Sequence, residues 1–305
     1  MIVTVTPNPA LDVTYRLPAL RPHAANRVAH VAAQAGGKGV NVSRVLHALG
    51  RPTLAVLPLG GETGRAVRRD LEEAGVPHEA VSIEGETRRT VAVVDDVDTT
   101  MLNEAGPHVE EQEWAALRAR VLQLLPAARV LVVSGSLPPG VPAQAGAGLV
   151  ELAHARGVPV ILDADGPALV AGLAVRPTAV KPNAAELAAA TGIDDPAAAA
   201  AALLEAGAQA VVASLGPDGL LVRTPEGCWR ARPPGGVAGN PTGAGDAVVA
   251  ALATGLAERA PWPLIAADAT ALSAAAVLAP RAGAFDADAY RRFAAAIRAE
   301  RLTPA

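Results

Sequence analysis

VLVVSGSLPPGVPAQAGAGLVELAHARGVPVILDAD (residues 130–165) decides the fold. It opens with a β-branched run (VLVVSG, 130–135), passes through a helical stretch that stops at a glycine (AGAGLVELAHARG, 145–157), and returns to a second apolar run (VPVILDAD, 158–165). Both runs are continuously apolar, the pattern of strands covered on both faces. The same rhythm extends outward in both directions. Further strands are expected at IVTVT (2–6), TLAVLPL (53–59), TAVKPN (178–183), AVVASLG (210–216) and GLLVRT (219–224). Helices are expected at VNVSRVLHALG (40–50), TGRAVRRDLEEAG (63–75), EEQEWAALRARVLQLL (110–125) and PAAAAAALLEAG (196–207), several closing on a glycine that permits the left-handed stop. Such alternation predicts an α/β fold: a doubly wound, mainly parallel sheet with helices on both faces.

Two stretches break the rhythm. Residues 10–35 and 87–103 show strand-like alternation without an intervening helix, and read as four strands of a small antiparallel sheet. The expected division is a main domain of 1–9, 36–86 and 104–305, with 10–35 and 87–103 forming a β-sheet lid. Ordinary edge hairpins fit the pattern almost as well.

Composition narrows the function classes. With 51% apolar and 18% charged residues in 305, the chain has ample core material, and with 2% aromatics that core must be Ala, Val and Leu. A net charge of −4 gives no electrostatic footprint for nucleic acid, although a few placed cations could still hold a small anion. The single cysteine, Cys228, excludes an internal disulfide framework and fits a reducing compartment. The start, MIVTVTPNPALD, does not read as a signal peptide, and no apolar run reaches the roughly 18 residues of a membrane span. The expectation is a cytoplasmic protein that binds neither membrane nor nucleic acid.

Ligands of open α/β sheets sit beyond the carboxyl ends of the strands, and five polar or glycine-rich clusters fall there. In GNPTGAGDAVVAALATGL (239–256) two glycines allow close approach, and the amides of 243–246 open a helix whose dipole favours anions. Asp246 in that turn could accept a proton from a hydroxyl, or merely cap the helix. AGGKGVNVSR (35–44) offers Lys38 and Asn41 at a second glycine turn whose spacing excludes a P-loop. VSGSLPPG (133–140) presents Ser134 and Ser136. VKPNAAE (180–186) places Asn183 and Glu186 three apart, as a hydrated Mg²⁺ site or as a capping box. SLGPDG (214–219) reads only as a turn.

Together, NPALD, AGGKGVN, ETR, SGSLPPG, KPNAAE, SLGPDG and NPTGAGD resemble, in order and spacing, the phosphofructokinase B branch of the ribokinase-like sugar kinases, with 1-phosphofructokinases and tagatose-6-phosphate kinases the nearest types. The resemblance implies an ATP- and Mg²⁺-dependent kinase of a phosphorylated ketohexose. It implies Asp246 as general base, with an anion hole at the GAGD turn (Gly243, Ala244, Gly245 and the Asp246 amide). ATP would be held by Lys181, Asn183, Ser214, Gly216 and Gly219, and Mg²⁺ by Asn183 and Glu186 through water. The sugar would meet Asp12, Gly37, Lys38, Asn41 and Ser136, and its phosphate would meet Arg27 and Arg88. A homodimer through the lid is implied as well. Two rival readings are a kinase of an unphosphorylated sugar or nucleoside, in which Arg27, Lys38 and Arg88 would not converge, and a sugar-phosphate sensor without turnover.

Overall fold

The computed structural model describes residues 1–302. In chain order, β1 (Ile2–Val5) begins the larger sheet, and β2 (Ala10–Arg16) and β3 (His30–Gly36) form a hairpin outside it. The chain returns through α1 (Lys38–Ala48), β4 (Thr53–Leu59), α2 (Gly61–Glu73) and β5 (His78–Ser82), then leaves again as the hairpin β6 (Arg88–Val94) and β7 (Thr99–Asn103). Alternation resumes with α3 (Glu111–Leu124), β8 (Val130–Ser134), α4 (Ala145–His154), β9 (Val160–Asp163), α5 (Gly166–Leu173), β10 (Ala179–Val180), α6 (Ala184–Thr191), α7 (Pro196–Glu205) and β11 (Val211–Ser214). Strands β12 (Leu220–Thr224) and β13 (Gly227–Ala231), helices α8 (Ala244–Glu258), α9 (Trp262–Val277) and α10 (Ala287–Ala296), and β14 (Ala299–Leu302) complete it.

The larger sheet has ten strands in the order β14-β13-β12-β11-β10-β9-β8-β1-β4-β5. From β11 to β5 every pairing is parallel; β12, β13 and β14 add an antiparallel edge. Because side chains alternate across a strand, Leu131 and Leu162 enter one core with Leu149 of α4 and Leu187 of α6, while Val132 and Ile161 enter the other with Leu46 of α1 and Leu252 of α8. Both cores need apolar partners, so VLVV and VILD carry them at successive positions. The doubly wound α/β fold is as expected, with helices on both faces.

The smaller sheet has the order β3-β2-β6-β7. Each hairpin is antiparallel as expected, but the two join through a parallel β2–β6 pair, a correction to an all-antiparallel reading. The cause is the path of the chain: β2 and β6 both depart from parallel strands of the larger sheet, so they run the same way. Alternation splits the sheet chemically. Gln34, Asp12, Thr90 and Asn103 lie in register across one face, while Ala33, Val13, Val91 and Leu102 lie across the other. Leu11 and Ala35 pack into a third core with Val40, Leu59 and Val67. Among the described residues, no single helix is long and apolar enough to cross a membrane.

Candidate active site

The N-terminus of α8 lies beyond the carboxyl ends of the central strands. Its N-cap, Gly243, has φ 86°, and a Cβ there would lie 2.8 Å from the Ala282 Cα, so only glycine fits. Asp246, in the first turn, does not cap the helix. Its carboxylate is instead 7% exposed and accepts a hydrogen bond at Oδ2 from Asn41 Nδ2 (2.8 Å). Burial, reinforced by the negative charge of Asp163, pushes the Asp246 pKa up to about 7. Of the amides expected to hold an anion at this turn, one is already engaged. The Ala244 amide donates to the Pro241 carbonyl (3.1 Å), because the turn after Asn240 closes tightly. The amides of Gly245 and Asp246 make no hydrogen bond to other backbone. A carboxylate near neutrality beside two outward amides can accept a hydroxyl proton while an anion is held.

Behind Asp246 is a charged cluster. Asp163, fully buried at the end of β9, accepts a hydrogen bond from Ser134 Oγ (2.7 Å) and faces Lys181 Nζ at 3.4 Å and Lys38 Nζ at 3.6 Å. Burial would raise its pKa, but the two ammonium groups outweigh burial and hold it below the usual carboxylate range. Lys38 also reaches Glu186 Oε1 at 4.0 Å. Burial works against its charge, and Asp163, Glu186 and Asp246 together outweigh that and raise its pKa. Asn183 and Glu186 form the reciprocal capping box at the start of α6: Asn183 Oδ1 accepts from the Glu186 amide (2.9 Å) and Glu186 Oε2 from the Asn183 amide (2.8 Å). Glu186 Oε1 is outside that box, whereas Asp163 Oδ1 is the oxygen that both ammonium groups approach. The Glu186 carboxylate beside Asn183 fits an ion that keeps most of its waters, as Mg²⁺ does. No group of three or more acidic, His or Cys side chains among the described residues could coordinate one directly.

Next to the α8 turn lies a cavity of about 650 Å³. Asn183, Ser214, Gly216, Gly219, Ala244 and Gly245 line it, bringing together the residues expected at a nucleotide, with Lys181 at its edge beside Gly245. Its far wall is apolar: Val237, Ala238, Pro241, Ala274 and Val277.

The smaller sheet supplies the opposite side. Asp12 accepts a hydrogen bond from Thr90 Oγ1 (2.5 Å); burial raises its pKa against the pull of that bond and of Arg88 and Arg44. Arg88 donates from Nε to the Asn8 carbonyl (3.2 Å) and from an Nη to the Glu104 carbonyl (3.0 Å). Asn8 Nδ2 donates to the Ala105 carbonyl (2.9 Å) and to Ser136 Oγ (3.3 Å). Gly37, at φ 103°, brings its backbone against Thr6 and Pro9. Arg27 is separate: it is exposed in the β2–β3 connection and makes no ion pair among the described residues. Lys38 joins Asp163 and Glu186, and Arg88 joins Asn8 and Glu104. Among the described residues, then, Arg27, Lys38 and Arg88 share no hydrogen-bond or ion-pair partner.

Sequence reasoning missed Asp163, Asn8 and Gln34. Asp163 carried a usable signal, a carboxylate ending an apolar strand. Asn8 lies within the quoted NPALD motif, and only the contact with Ser136 distinguishes it.

The comparisons with known proteins bear on this arrangement. Residues 7–288 match the model of the pfkB family carbohydrate kinases. The chain belongs to that family. Phosphofructokinase-2 from Escherichia coli, solved with potassium, is 33% identical, with 96% of this chain and 98% of that one covered at a TM-score of 0.91. A possible 1-phosphofructokinase from Thermotoga maritima is 28% identical over 99% of both chains, with a TM-score of 0.89. Arabidopsis thaliana ribokinase, solved with ribose and ATP, is 19% identical over 96% of this chain and 98% of that one; its TM-score of 0.75 shows a shared ribokinase-like fold. Membership of the pfkB family makes this chain a carbohydrate kinase by descent.

Proposed function

We propose that the protein transfers the γ-phosphoryl group of ATP to a hydroxyl of an already phosphorylated ketohexose: fructose 1-phosphate, fructose 6-phosphate or tagatose 6-phosphate. The observation that carries this is Asp246, buried in the first turn of α8 at a pKa of about 7, with free amides beside it and the 650 Å³ cavity next to it. Asp246 takes the hydroxyl proton, and the amides of Gly245 and Asp246 hold the charge of the transferring group. Lys181 and Lys38 add positive charge, while Asn183, Ser214, Gly216 and Gly219 line the nucleotide's side. Glu186 and Asn183 would hold Mg²⁺ through water, with Asp163 nearby. The ion would neutralise phosphate charge.

On the acceptor side, Asp12, Asn41, Ser136 and the Gly37 backbone orient the sugar, and Arg88 pairs with its phosphate. Similarity to a phosphofructokinase-2 that has been solved with fructose 6-phosphate supports a phosphorylated acceptor. The smaller sheet acts as a lid that excludes water, the competing acceptor. Its apolar face leaves Val31 63% and Leu102 57% exposed, and we assign a homodimer contact there. Arg27 lies on the same exposed connection, so its part in substrate binding depends on that assembly. The E. coli relative has a tetrameric inhibited form, which makes the oligomer a quantity to measure.

The exposed position of Arg27, which makes no ion pair among the described residues, favours a second reading, a kinase of an unphosphorylated sugar or nucleoside. One experiment separates the two: ATP consumption with Mg²⁺ against the three sugar phosphates and their free sugars. Preference for one phosphorylated ketohexose is the expected result. Activity on free sugars alone would establish the second reading, and no activity on any acceptor would leave a sensor.

A further inference from the structure

The segment between α9 and α10 backs the catalytic turn from behind. Ala282 meets Gly243, and a Cβ on Gly283 would lie 2.8 Å from Arg44 Cδ and 3.3 Å from Asn41 Oδ1. Residues 282–283 therefore lie close against both groups that fix Asp246: the glycine turn that carries it and the asparagine that hydrogen-bonds it. Yet the backbone of residues 280–285 is tied to no other element by a backbone hydrogen bond. What reaches it is a side chain of the smaller sheet. Gln34 Nε2 donates to the Ala282 carbonyl at 3.2 Å, across 248 positions of sequence. Gln34 stands on β3 directly opposite Asp12 on β2, in the polar row that also contains Thr90 and Asn103.

We infer that Gln34 is a positioning residue that couples the smaller sheet to the anion-binding turn. Its amide fixes the 282–283 segment against Gly243 and Asn41. The sheet that carries Asp12 therefore holds the Gly245 and Asp246 amides in place through one side-chain bond. Packed groups pass on displacement because the interior has little free volume. The segment biased here is short, and among the described residues its backbone makes no hydrogen bond to another element. Loss of the Gln34 bond leaves the turn formed but less restrained.

The test uses Gln34→Met, of similar length without a donor, and Gln34→Asn, which keeps the amide but falls one methylene short. In the unliganded protein, hydrogen exchange of the peptide covering 243–248 should accelerate about 3- to 10-fold in both variants, the effect of losing one neutral hydrogen bond. The melting temperature should be unchanged. With ATP and the preferred sugar, kcat should fall by a similar factor of about 3 to 10 while KM for ATP is unchanged. Wild-type exchange rates at 243–248 in either variant would overturn the inference, as would a loss of kcat matched by an equal rise in KM for ATP. The kinetic arm rests on the phosphoryl-transfer reading. The exchange arm needs no substrate, so it decides the role of Gln34 even if every candidate sugar proves inert.

Discussion

The two sides of the cleft are built from different materials. The cavity between Ser214, Gly219 and the start of α8 is walled by glycine, proline and small aliphatic residues, with Asn183 and a few hydroxyls its polar side chains. The other side carries charge: Asp12 and Arg88 on the smaller sheet, and Lys38 with the Asp163–Lys181 pair behind Asp246. A site made of backbone and shape holds its ligand through amides and fit, and tolerates changes in charge. A site made of buried charges is sensitive to each one, because an unpaired charge in low dielectric is expensive. Asp246 stands at the boundary, and its raised pKa comes first from burial and then from its charged neighbour Asp163.

The sharpest way to break this contrast is at the boundary itself. Asp246→Asn should lower kcat by about 10²- to 10⁴-fold or more, read in steady-state kinetics. The fold should survive: a carboxyl whose native pKa lies above its unfolded value binds protons more tightly when folded. Ionising it costs stability as pH rises from the ordinary carboxylate range to about 7. The asparagine variant should therefore melt no lower than the wild type at pH 8. Near-normal turnover would return Asp246 to a purely structural role.

On the charged side, Arg88→Ala should raise KM for the phosphorylated sugar by about 10- to 100-fold while KM for ATP is unchanged, the loss of a charge-assisted pair. An equal effect on a free sugar would remove Arg88 from phosphate binding. On the neutral side, Gly243→Ala forces a Cβ to 2.8 Å from Ala282 at a positive φ. That strain of about 1–3 kcal/mol should appear as a lower melting temperature and a kcat/KM for ATP reduced by about 10-fold. The smallest effect concerns pH. In the proposed role Asp246 must be ionised, so kcat/KM should rise as pH climbs through about 7. Asp163→Asn removes the negative neighbour and should move that limb to lower pH; a limb that stays in place would show that burial alone sets it.

How far the sequence could be read follows the same physics. Strands buried on both faces, such as VLVV and VILD, announce themselves because every position must be apolar, and TLAVLPL matches β4 residue for residue. Strands at the edges do not. HEAVS, GCWRA and AERL (β5, β13 and β14) take their conformation from a neighbour's hydrogen bonds, and their composition carries little signal. Helices α9 and α10 were likewise invisible as separate elements: α9 is apolar on nearly every side, because it packs between α8, α10 and the sheet. In the site, glycine turns and the residues adjoining them were legible because motif spacing is local. Asp163 was marked only as a carboxylate ending an apolar strand, and its partners, like that of Gln34, lie far away in sequence. The spent Ala244 amide was hidden for the same reason: the Pro241 turn consumes it only once folded.

The parallel β2–β6 pair has a consequence for how the protein comes into being. Its register joins residues 78 apart, as in the Asp12–Thr90 hydrogen bond, and the chain between them must already have formed β4, α2 and β5. Closing so long a loop is entropically costly until those elements hold its ends together. The β2–β6 seam is thus expected to close after β4, α2 and β5 have formed, later than either hairpin. A chain whose seam stayed open would lack the continuous row of Gln34, Asp12 and Thr90, while the glycine-walled cavity draws on none of those strands. On the roles proposed above, a failure there would cost the acceptor side and spare the donor side.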